Sequence, residues 1–141
     1  MSVDKLLRDG KIHKFMATAE EIDKVIDIAR RDLSLAKKIA ELNRDWCFSI
    51  LYNSVFQICR AYMFSQGYRP ASHETHKTVF EFMSEVVEAP YKGMISYFDR
   101  ARKKRHRSIY DEVGLVSSRE IGELLAKANR FIEYIVNKLK G

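Results

Sequence analysis

The sequence is poor in the residues that break helices and in those that cross-link small domains. Its 141 residues include two prolines, six glycines and two cysteines. Two cysteines cannot build the multi-bridge framework of a small secreted domain. Cys47 and Cys59 both lie in an apolar, aromatic-rich segment, so we expect them to be reduced and buried. No window alternates apolar and polar residues for long enough to indicate a strand, and we therefore expect no sheet.

Long apolar runs and several catalytic signatures are also missing. No stretch approaches the roughly 20 apolar residues that span a bilayer, and residues 1–15 lack the apolar centre of a signal peptide. We therefore expect a cytoplasmic protein that does not enter a membrane. The sequence contains no glycine-rich phosphate loop, no G-x-S-x-G, no HExxH and no Cys-x-x-Cys. An enzyme built on this chain would have to act by general acid-base and electrostatic means.

The excess positive charge is concentrated in one short segment. The chain carries 25 Lys and Arg against 19 Asp and Glu, a formal net charge of +6. Residues 100–107 (RARKKRHR) contain six of these bases and no acid, so the remaining bases equal the acids in number. We refer to residues 100–107 as the basic segment. A concentrated patch of this kind creates a field that attracts a polyanion.

Helical periodicity with capping signals predicts five helices. Thr18 and Glu21 have capping-box spacing, as do Ser117 and Glu120. The predicted helices cover about 18–41, 45–66, 72–87 with Ser72 as its cap, Pro90 into the basic segment, and 117–139. The second of these is the richest in large apolar side chains and should be the most buried. These segments predict an all-α antiparallel bundle over 17–141, with an arm or short helix over 1–16.

One ridge of the basic segment combines charge, an imidazole and a phenol. At ~100° per residue, Arg102, His106 and Tyr110 align if the helix persists that far. This pattern is typical of a metal-free phosphodiester site, where arginine stabilises phosphate charge and histidine exchanges a proton near neutral pH. The alternative interpretation is a solvated basic helix face. The other bases of the segment are the expected phosphate contacts: Arg100, Lys103, Lys104 and Arg107.

Two further groups of polar residues have more than one interpretation. His73 and His76 are three residues apart, a spacing that can share a metal, but no ligand set completes it and we expect ordinary surface histidines. Ser49, Asn53 and Gln57 form a polar line on the otherwise apolar second helix. The line is either a hydrogen-bonded seam between helices or subunits, or one wall of a cleft that holds the basic segment.

Several segments together resemble the HEPN superfamily of small helical nucleotide-binding domains. They are DWCFSILYNSVFQICRAYMFSQGYRP at 45–70, SHETHKTVFEF at 72–82, RHRSIYD at 105–111 and LLAKANRFIEYIVNKL at 124–139. Many members are metal-independent ribonucleases, often toxins paired with a minimal nucleotidyltransferase, and carry Arg, four to six arbitrary residues and His. A compact prokaryotic subgroup has an Arg followed five positions later by Tyr.

The resemblance allows two registers for a catalytic pair. In the subgroup's register, Arg105 takes the arginine position and Tyr110 the histidine position, while Ile109 replaces an acidic residue often found there. The other register pairs Arg100 with His106. A phenol is almost fully protonated at neutral pH and is a poor general base, so a site centred on Tyr110 should be slow.

The resemblance implies a homodimer in which two basic segments line a shared cleft for RNA or a nucleotide. Cleavage of RNA would need no metal or cofactor: Arg105 or Arg102 would stabilise the phosphorane, and His106 or Tyr110 would handle the proton. The implied protein partner is a nucleotidyltransferase antitoxin. The alternative is a non-catalytic helical module that docks a nucleotidyltransferase or another protein. Aromatic side chains that we expect to be exposed favour the dimer: Tyr52, Tyr62, Tyr91, Tyr97 and Phe98.

Overall fold

The computed structural model describes residues 2–141, and helices account for most of them. Six helices are present in this range: α1 (Val3–Arg8), α2 (Ala19–Ile39), α3 (Arg44–Ser65), α4 (Thr75–Val86), α5 (Ala89–Tyr110) and α6 (Ser118–Lys140). Two strands, β1 (Ile12–Lys14) and β2 (Tyr68–Pro70), complete the elements. None of the described helices is long and apolar enough to span a membrane.

The helices begin where local capping chemistry predicts, with one exception. Both capping boxes form, one at Thr18 and Glu21 before α2 and one at Ser117 and Glu120 before α6. Pro90 lies in the first turn of α5, as predicted. Ser72 does not cap α4, which begins at Thr75. The segment before it forms a turn instead: the Ala71 amide donates to the Lys11 carbonyl at 2.8 Å, and Glu74 has a left-handed backbone with φ 50°, so the helix starts later.

The all-α class is confirmed, and the only sheet in the described chain is a two-stranded one. β1 pairs with β2 in antiparallel register, with Ile12 opposite Pro70. Each strand has three residues, which is too short to show an alternating pattern, and the partners are far apart in sequence. The expectation of no sheet therefore fails at this one small two-stranded sheet. The segment before α2 is packed rather than loose, because Leu6 and Ile12 are fully buried.

Helix α3 forms the centre of the molecule, and the prediction that it is the most buried helix is confirmed. It contacts α2, α4, α5 and α6. More than half of its side chains are buried, whereas Trp46 in its first turn is 55% exposed. Cys47 and Cys59 are free and buried as predicted, and burial raises the pKa of each thiol. The central position gives α3 contacts on several sides, so residues on different faces of this helix line different parts of the molecule.

The aromatic residues that were expected to be exposed are wholly or partly buried. Tyr52, Tyr62 and Phe98 are core residues, and Tyr91 and Tyr97 are half-buried. They are buried because α3 and α5 pack against more than one neighbour, which uses apolar side chains that lie off the main stripe. The homodimer thus loses this support and stays a prediction of the family resemblance. Light scattering that shows a 16.5 kDa species at every concentration would contradict it.

Candidate nucleic-acid interface

The basic segment forms the C-terminal half of α5, which stays helical through Tyr110. The ridge of Arg102, His106 and Tyr110 is therefore present, and the rings of His106 and Tyr110 lie 4.9 Å apart between centroids. Ala101 and Ser108 are buried on the opposite side of the helix and anchor it to the bundle. The six bases occupy two consecutive helical turns, so their side chains cannot all point in one direction. Some of them therefore face α4 and the others face α6.

One side of α5 and the start of α4 enclose an open cavity of about 530 Å³. We refer to it as the basic cavity. Its lining consists of four bases and two histidines: His76, Arg102, Lys103, Arg105, His106 and Arg107. No carboxylate occurs among these lining residues. The lining therefore combines an excess of positive charge with imidazole groups, a combination suited to binding a phosphate.

Arg105 is the cation that the fold holds most firmly in this cavity. Its Nε donates to the Ser49 hydroxyl at 3.1 Å, and its guanidinium lies 5.5 Å from the centroid of the Tyr52 ring. Ser49 and Tyr52 are buried residues of α3. The two terminal amino groups of Arg105 have no hydrogen-bond partner within residues 2–141. The arrangement fixes the side chain and leaves a fork of donors free for an anion.

The other cations of the cavity are held less firmly or are already compensated. Arg102 Nε donates to Asp99 Oδ1 one turn earlier at 2.9 Å. Arg107 lies 3.4 Å from Glu112 in an exposed ion pair. Lys103 is exposed and forms no ion pair with the described residues. These differences leave Arg105 as the best-anchored cation of the cavity and Lys103 as an exposed cation without an acidic partner.

His76 is the residue of the cavity that sequence reasoning placed wrongly. It is not a surface histidine: its ring stacks on Phe56 with centroids 3.9 Å apart, and its Nδ1 lies 2.7 Å from the Tyr52 hydroxyl. Burial, followed by the nearby arginines, lowers the pKa of His76 to about 4, so it is neutral at pH 7. His73 is exposed, and the described residues contain no group of three or more His, Cys, Asp or Glu suited to a metal ion.

On the α6 side of α5, the bases of the basic segment lie next to acidic residues. Lys104 pairs with Glu120 of α6, and the Arg100 guanidinium lies 5.9 Å from the Tyr97 ring. Both bases line a second, smaller cavity that also contains Glu120 and Glu123. Although burial opposes it, hydrogen bonds from Lys104 and Ser117 lower the pKa of Glu120 and keep it charged. The charge of Lys104 is thus largely balanced here.

The polar line on α3 divides among three partners. Ser49 contacts Arg105 and belongs to the wall beneath the basic cavity. Asn53 donates to Asp32 of α2 at 2.6 Å, which makes it part of a seam between helices. Gln57 accepts from Arg60 of the same helix at 2.6 Å. Both interpretations of the line therefore hold, each for a different residue.

A comparison of the sequence with models of protein families gives a match. The family model described as HEPN domain matches residues 22–139, nearly the whole chain. The chain belongs to the HEPN family. HEPN domains are associated with ribonuclease activity and with nucleotidyltransferase partners. No curated protein and no solved structure shows significant similarity to this chain.

Each of the two HEPN registers joins one residue of the basic cavity to one residue outside it. Arg105 lines the cavity, whereas Tyr110 is not among the lining residues and is 67% exposed. His106 lines the cavity, whereas Arg100 lies on the α6 side. The cavity itself brings together Arg105 and His106, which are adjacent in sequence. Sequence spacing alone does not suggest this pair, because neighbours on a helix diverge by ~100°.

Proposed function

We propose that this HEPN domain binds RNA in the basic cavity and cleaves it without a metal ion, with Arg105 contacting the scissile phosphate. The observation that carries the proposal is the Arg105 side chain, anchored by Ser49 and Tyr52 with its terminal amino groups unpaired. A preorganised arginine stabilises the charge that develops on a phosphorane without having to reorganise during the reaction.

The chemistry follows from the groups in the cavity. The ribose 2'-hydroxyl attacks the adjacent phosphorus and loses its proton to a base, while the bond to the 5'-oxygen breaks and that oxygen takes up a proton. The products are a 2',3'-cyclic phosphate and a 5'-hydroxyl. Arg105 and Arg102 stabilise the phosphorane, and His106 exchanges the proton because an imidazole can act as base and acid near neutral pH. Lys103 and Arg107 contact neighbouring phosphates.

Cleavage of a labelled single-stranded RNA in EDTA tests this proposal. His106→Ala should lower the cleavage rate by ~10²- to 10⁴-fold and leave affinity within a few-fold, because the change removes acid-base chemistry and little charge. Tyr110→Phe distinguishes the registers: a loss comparable to that of His106→Ala would assign the proton transfer to Tyr110. An RNA with 2'-deoxyribose at the scissile position should bind and stay intact.

The same experiment separates catalysis from a binding role. If the Arg105→Ala, His106→Ala and Tyr110→Phe variants all cleave RNA as fast as the wild type does, the activity belongs to a contaminating nuclease and the enzyme proposal fails. A non-catalytic module would instead lose affinity gradually with each cation removed. Co-purification with a nucleotidyltransferase, independent of the basic cavity, would favour the role of a partner module.

A further inference from the structure

A third open cavity, of about 770 Å³, lies beside the basic cavity and shares His76 with it. We refer to it as the aromatic groove. Phe56, Arg60 and Phe64 of α3 form one side. Phe15, which follows β1, and Arg69 of β2 form the other. Its volume falls in the range of about 300–1,000 Å³ that is usual for ligand sites.

The groove pairs aromatic rings with guanidinium groups. The Arg60 guanidinium lies 5.2 Å from the Phe64 ring centroid, and that of Arg69 lies 5.8 Å from the Phe15 ring centroid. Phe15 and Phe64 meet edge to face at 5.0 Å. Neither arginine forms an ion pair with any residue in 2–141. Both cations are therefore available to a ligand that also offers a flat face to the rings.

The one carboxylate in the lining of the groove is already engaged. Glu21 accepts a hydrogen bond from the Thr18 amide at 3.0 Å in the capping box of α2. Arg60 donates to Gln57, a neutral partner, and burial lowers its pKa. Two arginines against this one carboxylate leave the lining with an excess of positive charge, which continues that of the basic cavity.

A single face of α3 connects the two cavities. Ser49 and Tyr52 lie beneath Arg105, Phe56 stacks on His76, and Arg60 and Phe64 follow at four-residue steps. The fifteen steps from Ser49 to Phe64 span about 22 Å along the helix at ~1.5 Å per step. The phosphate site and the aromatic groove therefore form one continuous track on one rigid element.

Aromatic faces beside unpaired cations are how proteins bind single-stranded nucleic acids. Unpaired bases stack on the rings while the cations follow the phosphates. Bases inside a duplex are stacked on each other and cannot enter such a groove. His76 at the junction is neutral at pH 7 and contributes a ring rather than a charge.

We propose that the aromatic groove is a base-binding subsite for single-stranded RNA, which runs from the phosphate contact at Arg105 across His76 to Phe64 and Arg69. This inference rests on the proposed function, because the strand is held by the basic cavity. It adds a substrate class: unpaired RNA long enough to reach both cavities.

Binding of 2'-O-methyl oligouridylates, which cannot be cleaved, tests the subsite by fluorescence anisotropy at several salt concentrations. The probes are a dinucleotide, which fits the basic cavity alone, and an octanucleotide, which reaches both. Arg69→Gln should weaken binding of the octanucleotide several-fold and reduce the magnitude of its log-log salt slope by about 0.7. Binding of the dinucleotide should not change.

Arg130 offers a matched control for Arg69. It is also exposed and lies 5.8 Å from an aromatic ring, that of Tyr91, but outside both cavities. Arg130→Gln should therefore leave both probes unaffected. Phe64→Leu, which keeps apolar volume and removes the stacking face, should weaken the octanucleotide on the order of 5-fold or more while the circular dichroism spectrum stays helical.

The outcomes distinguish this inference from the proposed function. Equal losses for Arg69→Gln and Arg130→Gln, or wild-type binding by Arg69→Gln and Phe64→Leu, would overturn the subsite. Lys103→Gln should weaken binding of both probes whether or not the aromatic groove binds bases. That result would support RNA binding in the basic cavity even if the subsite is overturned. If the wild-type protein binds neither probe at low salt, the proposed function fails and the subsite fails with it.

Discussion

The two sides of α5 receive bases from the same eight residues, but only the α6 side places carboxylates in the same cavity as those bases. On the α4 side, Arg105 is anchored by neutral groups and faces a cavity whose described lining contains no carboxylate. On the α6 side, Lys104 is paired with Glu120, and Glu123 lies in the same cavity. Charge counted along a sequence is therefore not the charge that a ligand meets, because packing decides which cations have acidic neighbours.

The largest expected difference between the two sides concerns Arg105 and Arg100. Arg105→Lys should lower kcat/KM for RNA cleavage by about 10²- to 10³-fold, the usual cost of losing one preorganised donor to a developing charge. A single ammonium cannot both bond Ser49 and present a fork to the phosphate. Arg100→Lys, on the α6 side, should change kcat/KM by less than a few-fold. Equal losses would remove the distinction between the sides.

The hydroxyl of a tyrosine on the α4 side, Tyr52, should contribute more to stability than that of a tyrosine on the α6 side, Tyr97. Tyr52→Phe leaves His76 Nδ1 without its 2.7 Å partner and should cost about 1–3 kcal/mol of unfolding free energy in urea titrations. Tyr97 of the α6 side makes no hydrogen bond with its hydroxyl in the described chain, so Tyr97→Phe should stay within about 0.5 kcal/mol. A Tyr97→Phe loss as large as that of Tyr52→Phe would contradict the asymmetry.

The depressed pKa of His76 predicts a pH dependence of stability. Above pH 6.5 the imidazole is neutral in both the folded and the unfolded chain; below it, the unfolded chain takes up a proton that the folded chain resists. The contribution of His76 is therefore complete above pH 6.5 and is lost as the pH falls towards about 4. His76→Gln should flatten this part of the profile of unfolding free energy against pH. His73→Gln, exposed and three residues away, should retain the wild-type profile.

The smallest predicted effect separates two adjacent lysines. Lys103→Gln should reduce the magnitude of the salt slope of RNA binding by about 0.7, since Lys103 lines the basic cavity and has no acidic partner in residues 2–141. Lys104→Gln should leave the slope nearly unchanged because Lys104 is paired with Glu120. Equal reductions would show that RNA contacts both sides of α5.

Local sequence signals were sufficient for the presence of the long helices, for the two capping boxes and for the burial of α3. Capping boxes at Thr18 and Ser117 and the density of apolar residues in 45–66 act over a few residues, and packing did not override them. The concentration of bases in residues 100–107 was equally visible. The prediction that Ser72 caps α4 was wrong and the β1–β2 pairing was missed, because both depend on contacts between distant segments.

The candidate site needed the packed structure. Tyr52 from α3, His76 from α4 and Arg105 from α5 meet through side chains whose sequence separations carry no periodic signal. The same packing assigned Lys103 to one cavity and Lys104 to another, although the two are neighbours in sequence. Helix formation depends on hydrogen bonds and side chains within a few residues, whereas burial, charge compensation and pKa depend on which helices lie against each other.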